Sequence, residues 1–352
     1  MNIAELKLEY DKSDMYGVIS NMPDQIREAL KLAEDFSVDI DTDSISNILF
    51  AGMGGSAIGG DLVRSILENE SELPISVVRN YNLPAWAGET TLALVTSYSG
   101  NTEETLSAYK DAMEKGCKII CVTTGGKLLE LANNDKVPVL IIPSGLPPRG
   151  AIAYCSIPWL LIFTSLGIIK NRSSEIESMA LELENVIEEY GNYESSQDNL
   201  ALSIAKRVVG KIPLIYVSTG PFSVIGKRWA NQIQENAKML AYTNELPEMN
   251  HNEIMGWHLT GLSKESILPI FIISSSYHPR VKLRFDITSK LVEEKRGEVV
   301  RISPTGDNLL TQLFSSIVMG DFISFYLSLL NNIDPGPVDI ISELKEQISS
   351  KN

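Results

Sequence analysis

Twice before residue 103 a short apolar segment runs into a loop of very small residues, and each loop then opens a helical pattern. Residues Asn47–Ala51 lead into Gly52-Met53-Gly54-Gly55-Ser56, and residues 91–96 lead into Ser97-Tyr98-Ser99-Gly100-Asn101-Thr102. A strand that stops at such a loop before a helix belongs to an open α/β sheet, whose ligands sit at the carboxyl ends of its strands. The two loops therefore fall on one edge of one sheet. The glycines of the first let backbone N–H groups approach an anion closely, and the second supplies the hydroxyls of Ser97, Ser99 and Thr102. Helix N-termini already favour an anion through unpaired N–H groups and the helix dipole.

Neither loop contains lysine and no G-x-x-x-x-G-K-[ST] occurs, which argues against a nucleoside triphosphate and for a small phosphorylated metabolite. Gly52-Met-Gly54-x-x-Ala57 also fits the relaxed dinucleotide pattern G-x-G-x-x-A. That reading lacks its acidic partner, because the next apolar run closes on Val77-Val78-Arg79-Asn80, where Arg79 could at most meet a 2′-phosphate. It also leaves the hydroxyl loop without a role. The plain alternative for that loop is helix capping, yet three hydroxyls exceed what one cap uses.

The alternation continues along the first half. Strands are expected at residues 47–51, 75–78, 91–96, 118–123 and 137–142, with helices over 55–68, 102–115 and 127–133. Gly145-Leu-Pro-Pro-Arg149-Gly150 closes this unit; helices are expected over 151–167 and 174–190, and a polar patch near 190–198 marks a boundary. Then the pattern recurs. Residues 213–220 and a helix over 222–240 echo the first strand and helix; residues 268–276 with a helix over 280–295 echo the second pair, and residues 298–303 echo 118–123. The copies differ chemically: Thr219-Gly-Pro-Phe222 stands for the glycine loop and Tyr277-His278-Pro279 for Gly-Asn-Thr, so bulk fills the places a phosphate needs. The expected division is a helical segment at 1–40, a phosphate-binding α/β domain at 41–150, a helical connection at 151–198, a second α/β domain at 199–331 and a tail helix at 332–352.

A net charge of −15 argues against nucleic acid or an anionic membrane as partner, so local donors must hold any phosphate. Three cysteines without paired spacing, and no signal-like start, fit reduced thiols in the cytoplasm. Residues Leu309–Leu330 are nearly long and apolar enough to span a membrane, but Gln312, Gly320, Asp321 and several serines interrupt them; a helix buried between domains or subunits is expected.

The phrase Ser97-Tyr-Ser-Gly-Asn-Thr-Glu-Glu-Thr105, the Gly-Gly-Ser loop at 54–56 and the tandem copies resemble sugar isomerase (SIS) domains. More closely, Glu235-Asn-Ala-Lys238, Pro247-Glu-Met-Asn-His-Asn252 and the terminal Glu-Leu-Lys345 resemble the bifunctional phosphoglucose/phosphomannose isomerases, with Met249 where that pattern leads one to expect leucine. The resemblance implies two tandem doubly wound parallel-sheet domains in a homodimer with sites at the subunit boundary. It implies interconversion of glucose 6-phosphate and mannose 6-phosphate with fructose 6-phosphate, without metal or redox cofactor. The phosphate would dock on Gly55, Ser56, Ser97, Ser99 and Thr102.

The remaining roles rest on the same resemblance beside plainer readings. On the helix over 222–240 the apolar stripe is Trp229, Ala230, Ile233, Ala237 and Leu240, while Arg228, Asn231, Gln232 and Glu235 share the opposite face. Periodicity alone permits a solvated face as readily as a sugar-lined cleft; the resemblance makes Glu235 the base. His251 reads as a residue at a helix start, and with His258 seven residues on it forms no metal motif; the resemblance makes it the group that opens the sugar ring, acting from a neighbouring subunit. Arg149 reads as a loop charge or as the cation beside a developing enediolate. Lys345 reads as a solvated helix residue or as a second ring-opening group. A non-catalytic sugar-phosphate sensor is the competing class, though no helix-turn-helix extension accompanies it.

Overall fold

The computed structural model describes residues 2–194, 199–258 and 266–351. Part of the expected polar boundary, residues 195–198, lies outside them. Three helices open the chain, α1 (Ile3–Tyr10), α2 (Met15–Ser20) and α3 (Met22–Glu34), and the alternating stretch follows as β1 (Asn47–Ala51), α4 (Gly54–Leu67), β2 (Ile75–Val78), β3 (Thr91–Ser97), α5 (Glu103–Glu114), β4 (Lys118–Thr123), α6 (Gly126–Asp135) and β5 (Val139–Ile141). Every expected element of this half is present, with bounds shifted by two residues or fewer. The five strands pair in parallel in the order β2-β1-β3-β4-β5. That order reverses between β1 and β3, the point at which a ligand crevice opens in such sheets.

Period-2 alternation explains why both faces are covered. Ile48, Phe50, Leu92, Leu94, Ile120 and Val122 join one core, whereas Leu49, Ala51, Ala93, Val95 and Cys121 join a second with Tyr109 and Leu128 from α5 and α6. The first core is shared with α7 (Ile152–Ser165), an almost wholly buried helix that explains its lack of a polar face.

After α8 (Ser173–Gly191) come α9 (Leu200–Val208), β6 (Ile212–Ser218), α10 (Ser223–Asn236), β7 (Tyr242–Leu246), β8 (Ile267–Ile272), α11 (Pro279–Arg296) and β9 (Val300–Ile302). These four strands also pair in parallel, in the order β7-β6-β8-β9. The order matches β2-β1-β3-β4, so the recurrence seen in the sequence is a recurrence of topology. Neither α9 nor β7 was expected. β7 is an edge strand, mostly half-exposed, with polar Asn244 and Glu245, and so lacks an apolar signature.

Two helices close the chain, α12 (Leu309–Leu330) and α13 (Asp339–Ser349). By length and composition α12 could cross a membrane, but 94% of its apolar window is buried inside the protein. It packs on α1, α2, α8, α9 and α10. Phe322 and Phe325 each meet Tyr16 of α2 at 5.9 Å between ring centroids, and the Trp229 indole of α10 donates to Ser316 O at 2.7 Å. α13 differs in kind: it has no buried residue.

Candidate active site

The two small-residue loops meet at the reversal between β1 and β3. Neither α4 nor α5 has a side-chain cap at its N-terminus, so Thr102, the residue before α5, keeps its hydroxyl out of the capping role. Ser56 Oγ accepts from the backbone N–H of Tyr98 at 3.1 Å and thereby ties the first loop to the second. Ser97 Oγ donates to Thr102 Oγ1 at 3.3 Å, and Ser99 Oγ, on an exposed residue, accepts from the N–H of Asn101 at 3.3 Å. Gly55 has a steric reason as well as a chemical one. A Cβ there would lie 2.5 Å from Pro148 O, so only glycine lets this loop close against the 3₁₀ turn Pro148–Gly150.

That turn delivers Arg149, and Arg149 joins the small-residue loops to the second half. Its guanidinium is almost completely buried. Nε donates to Asn236 Oδ1 at 2.6 Å, and Nη2 donates to Pro335 O at 2.6 Å and Gly336 O at 3.0 Å. The remaining nitrogen, Nη1, lies 3.6 Å from Glu235 Oε2, whose side chain is about one-third exposed (32%). Burial lowers the Arg149 pKa, while Glu235, Asp321 and Asp334 pull it back up.

The face of α10 that carries Glu235 is largely covered rather than solvated. Arg228 and Gln232 on the same face are buried against α12, where Arg228 Nη2 donates to Asp321 Oδ2 at 2.6 Å and Gln232 Nε2 to Asp321 Oδ1 at 2.8 Å. Arg228 also donates to the backbone carbonyl of Arg149 at 3.0 Å. Asn236 Nδ2 completes the set by donating to Ser324 Oγ of α12 at 2.9 Å. Burial pushes the Asp321 carboxyl upward, opposed by Arg228 and then by Gln232. A buried ion pair of this kind is costly to break, about 3–5 kcal/mol when one partner is removed.

The apolar stripe requires one correction. α10 ends at Asn236, and Leu240 is exposed rather than part of the stripe. Lys238 adopts a left-handed conformation (φ +55°), and its ammonium donates to the carbonyls of Glu235 at 2.7 Å and of Asp334 and Pro335 at 3.1 Å each. These bonds satisfy the end of the helix and fasten the 334–336 loop over the site. Burial, reinforced by repulsion from Arg149, lowers the Lys238 pKa. Asn236 and Lys238 stand in the quoted signature without an assigned role. The signal for Asn236 was its alignment at four-residue spacing with Arg228 and Gln232; Asp321 was marked as a break in an apolar run.

The single chain does not bring His251 or Lys345 to this pair. His251 is exposed on the 3₁₀ turn Glu248–His251, which packs on β7, and Lys345 is exposed on α13. Neither makes a hydrogen bond or ion pair with Glu235 or Arg149. Among the described residues no three His, Cys, Asp or Glu side chains come together in a group suited to a metal ion.

Residues 197–348 match the family model described as the bacterial phospho-glucose isomerase C-terminal SIS domain. A bifunctional phosphoglucose/phosphomannose isomerase of Caldicellulosiruptor bescii is 41% identical over 95% of this chain and 99% of its own length. A protein of the same description from Thermoplasma acidophilum is 35% identical over 92% of this chain and 98% of its own. Among solved structures, a hypothetical protein from Thermus thermophilus superposes with a TM-score of 0.76 at 14% identity, covering 99% of this chain and 93% of the other.

Proposed function

The chain belongs to the bifunctional phosphoglucose/phosphomannose isomerases, and from that premise we propose how its own residues carry out the reaction. The enzyme interconverts glucose 6-phosphate and mannose 6-phosphate with fructose 6-phosphate. The 6-phosphate docks on Gly55, Ser56, Ser97, Ser99 and Thr102, at the uncapped starts of α4 and α5. Anchoring there holds the reacting carbons beside Glu235 and turns an encounter into a positioned complex. Glu235 removes the proton from C2, Nη1 of Arg149 faces the oxygens of the cis-enediolate, and the same carboxylate returns the proton to C1 while the hydroxyl proton passes from O2 to O1. One enediol serves both 2-epimers, so a single base handles glucose and mannose phosphates. The steps need no metal or redox cofactor.

The observation that carries this reading is the Arg149–Glu235 contact at 3.6 Å, formed where Gly55 closes on Pro148. It puts a carboxylate of the second half and a buried cation of the first beside the phosphate loops. Ring opening falls to His251 and Lys345. Both are remote from the pair within one chain, and α13 carries an exposed apolar face of Ile340, Leu344 and Ile348. We therefore place the site at the boundary of a cytoplasmic homodimer, with a second copy covering α13 and completing the ring-opening pair.

The test is incubation of the protein with fructose 6-phosphate and a chelator, followed by separation of the product sugars. Glucose and mannose 6-phosphates are expected. Binding without turnover would make the protein a sensor instead. Mixing inactive Glu235→Gln and His251→Asn proteins should restore turnover if the site is shared, and leaves both inactive if each chain works alone.

A further inference from the structure

Around His251 the neighbouring side chains of its turn are tied down, and among the described residues the imidazole alone is left without a partner. Asn250 Nδ2 donates to Thr288 Oγ1 of α11 at 2.8 Å. Asn252 Nδ2 donates to Glu248 Oε1 at 3.0 Å, and its Oδ1 accepts the backbone N–H of Glu253 at 2.6 Å. Glu253 then reaches back into the second sheet. Its Oε1 accepts the Tyr216 hydroxyl of β6 at 2.5 Å, and its Oε2 accepts the Asn244 amide of β7.

The directions of these bonds are fixed by chemistry. The Trp257 indole donates to the Tyr216 oxygen at 3.0 Å. An indole N–H is only a donor, so the tyrosine must spend its own proton on Glu253. The Asn244 carbonyl is occupied by the N–H of Glu245 at 2.8 Å, which turns its amide group toward the same carboxylate. Two donors thus converge on Glu253, one on each carboxyl oxygen. Arg296 lies over the Trp257 ring at 5.7 Å and closes the assembly from α11. None of these groups touches the Arg149–Glu235 pair.

We infer that Glu253 is a positioning residue for the isomerase: it pins the Asn250–Asn252 turn to β6 and β7 so that His251 is presented to the sugar in one fixed place. This rests on His251 being the ring-opening group. A turn held only by its exposed residues would have to be ordered at each encounter, at a cost in conformational entropy. Anchoring the turn in the sheet removes that cost beforehand.

The experiment measures two rates in parallel, turnover of fructose 6-phosphate and interconversion of the glucose 6-phosphate anomers followed by NMR exchange. Glu253→Gln sets an amide donor against one of the two converging donors. It is expected to lower kcat about 10- to 100-fold, the effect of displacing a catalytic group by about an ångström, and to slow anomer interconversion in proportion, with KM nearly unchanged. Tyr216→Phe keeps the ring stacked on Phe271 at 4.8 Å and removes only the O–H. It should show the same pattern to a lesser degree, and it serves if the glutamine variant fails to fold. The double variant His251→Asn/Glu253→Gln should be no slower than His251→Asn alone. Wild-type kcat in Tyr216→Phe and Glu253→Gln, or losses that multiply in the double variant, overturns the positioning role while leaving His251 intact. Wild-type turnover in His251→Asn overturns the ring-opening reading and this inference with it.

Discussion

The turn after β1 and the turn after β6 hold the same place in two sheets of matching strand order, yet they are built from opposite kinds of residue. After β1 come glycines and a serine that ties the first loop to the second. After β6 comes Phe222, fully buried and set edge-on to Tyr277 at 5.2 Å. The Tyr277 hydroxyl accepts the N–H of Ser218 at 3.2 Å and donates to Ile272 O at 3.0 Å, spanning the ends of β6 and β8. In the second half, then, a tyrosine sits where a ligand would and satisfies the backbone there. The two sheets share a strand order, but small residues follow β1 where aromatic side chains pack after β6 and β8, and the helix after β6 carries Glu235 to Arg149 of the first half.

The largest effect should come from Glu235→Gln. With Glu235 as the proposed base, kcat is expected to fall about 10²- to 10⁴-fold, the usual range for a general base, with substrate affinity nearly kept. Steady-state turnover beside a binding titration checks this, and wild-type turnover would erase the division of labour between the halves. Phe222→Ala removes the plug of the closed crevice and should cost about 3–5 kcal/mol in denaturant unfolding. A negligible loss would mean the crevice is not filled by packing. The combined Ser99→Ala/Thr102→Ala variant should raise KM about 10- to 100-fold, since hydrogen bonds to a charged group contribute about 1.5–3 kcal/mol. Ser276→Ala, the change at the place in the second half that matches Ser99, should leave KM alone; equal effects of Ser99→Ala and Ser276→Ala would refute the asymmetry.

The smallest effect concerns how each sheet is tethered. Lys118 at the start of β4 pairs with Asp41 at 3.6 Å, whereas Glu298, just before β9, pairs with Lys211 at 2.7 Å and Arg207 at 2.8 Å. Lys211 and then Arg207 hold the Glu298 carboxyl below the usual range against some desolvation. Its contribution is therefore complete above the pKa of the unfolded chain's glutamate and lost as pH falls through the lower folded value. Glu298→Gln should cost about 0.2–1 kcal/mol at neutral pH, as expected for a half-exposed pair, and should remove that part of the acid-induced loss. Unfolding midpoints at neutral and acidic pH test the sign.

Most of the first sheet was legible because its apolar runs end sharply at glycines, prolines and hydroxyls. β7 was not, since a half-exposed edge strand with Asn244 and Glu245 carries little apolar pattern. The end of α10 was misplaced because nothing in the local sequence announces that Lys238 will turn left-handed and bond carbonyls of a loop nearly a hundred residues on. Periodicity could not decide whether this face of α10 met water: Arg228 and Gln232 look the same on a solvated face as on one covered by α12, and their cover is Asp321, while Glu235 meets Arg149. His251 and Lys345 could not be joined to the pair by any reading of one chain, for they stand apart from it on the surface.

α12 has a consequence for how the molecule comes to exist. Because it lies against α1 and α2 as well as α8, α9 and α10, a growing chain that has reached residue 308 still lacks the piece both halves wait for. Until those 22 residues arrive, the opening helices and the helices α8, α9 and α10 lack the surface they pack against. A truncation ahead of Leu309 therefore removes packing from the beginning of the protein as well as from its end.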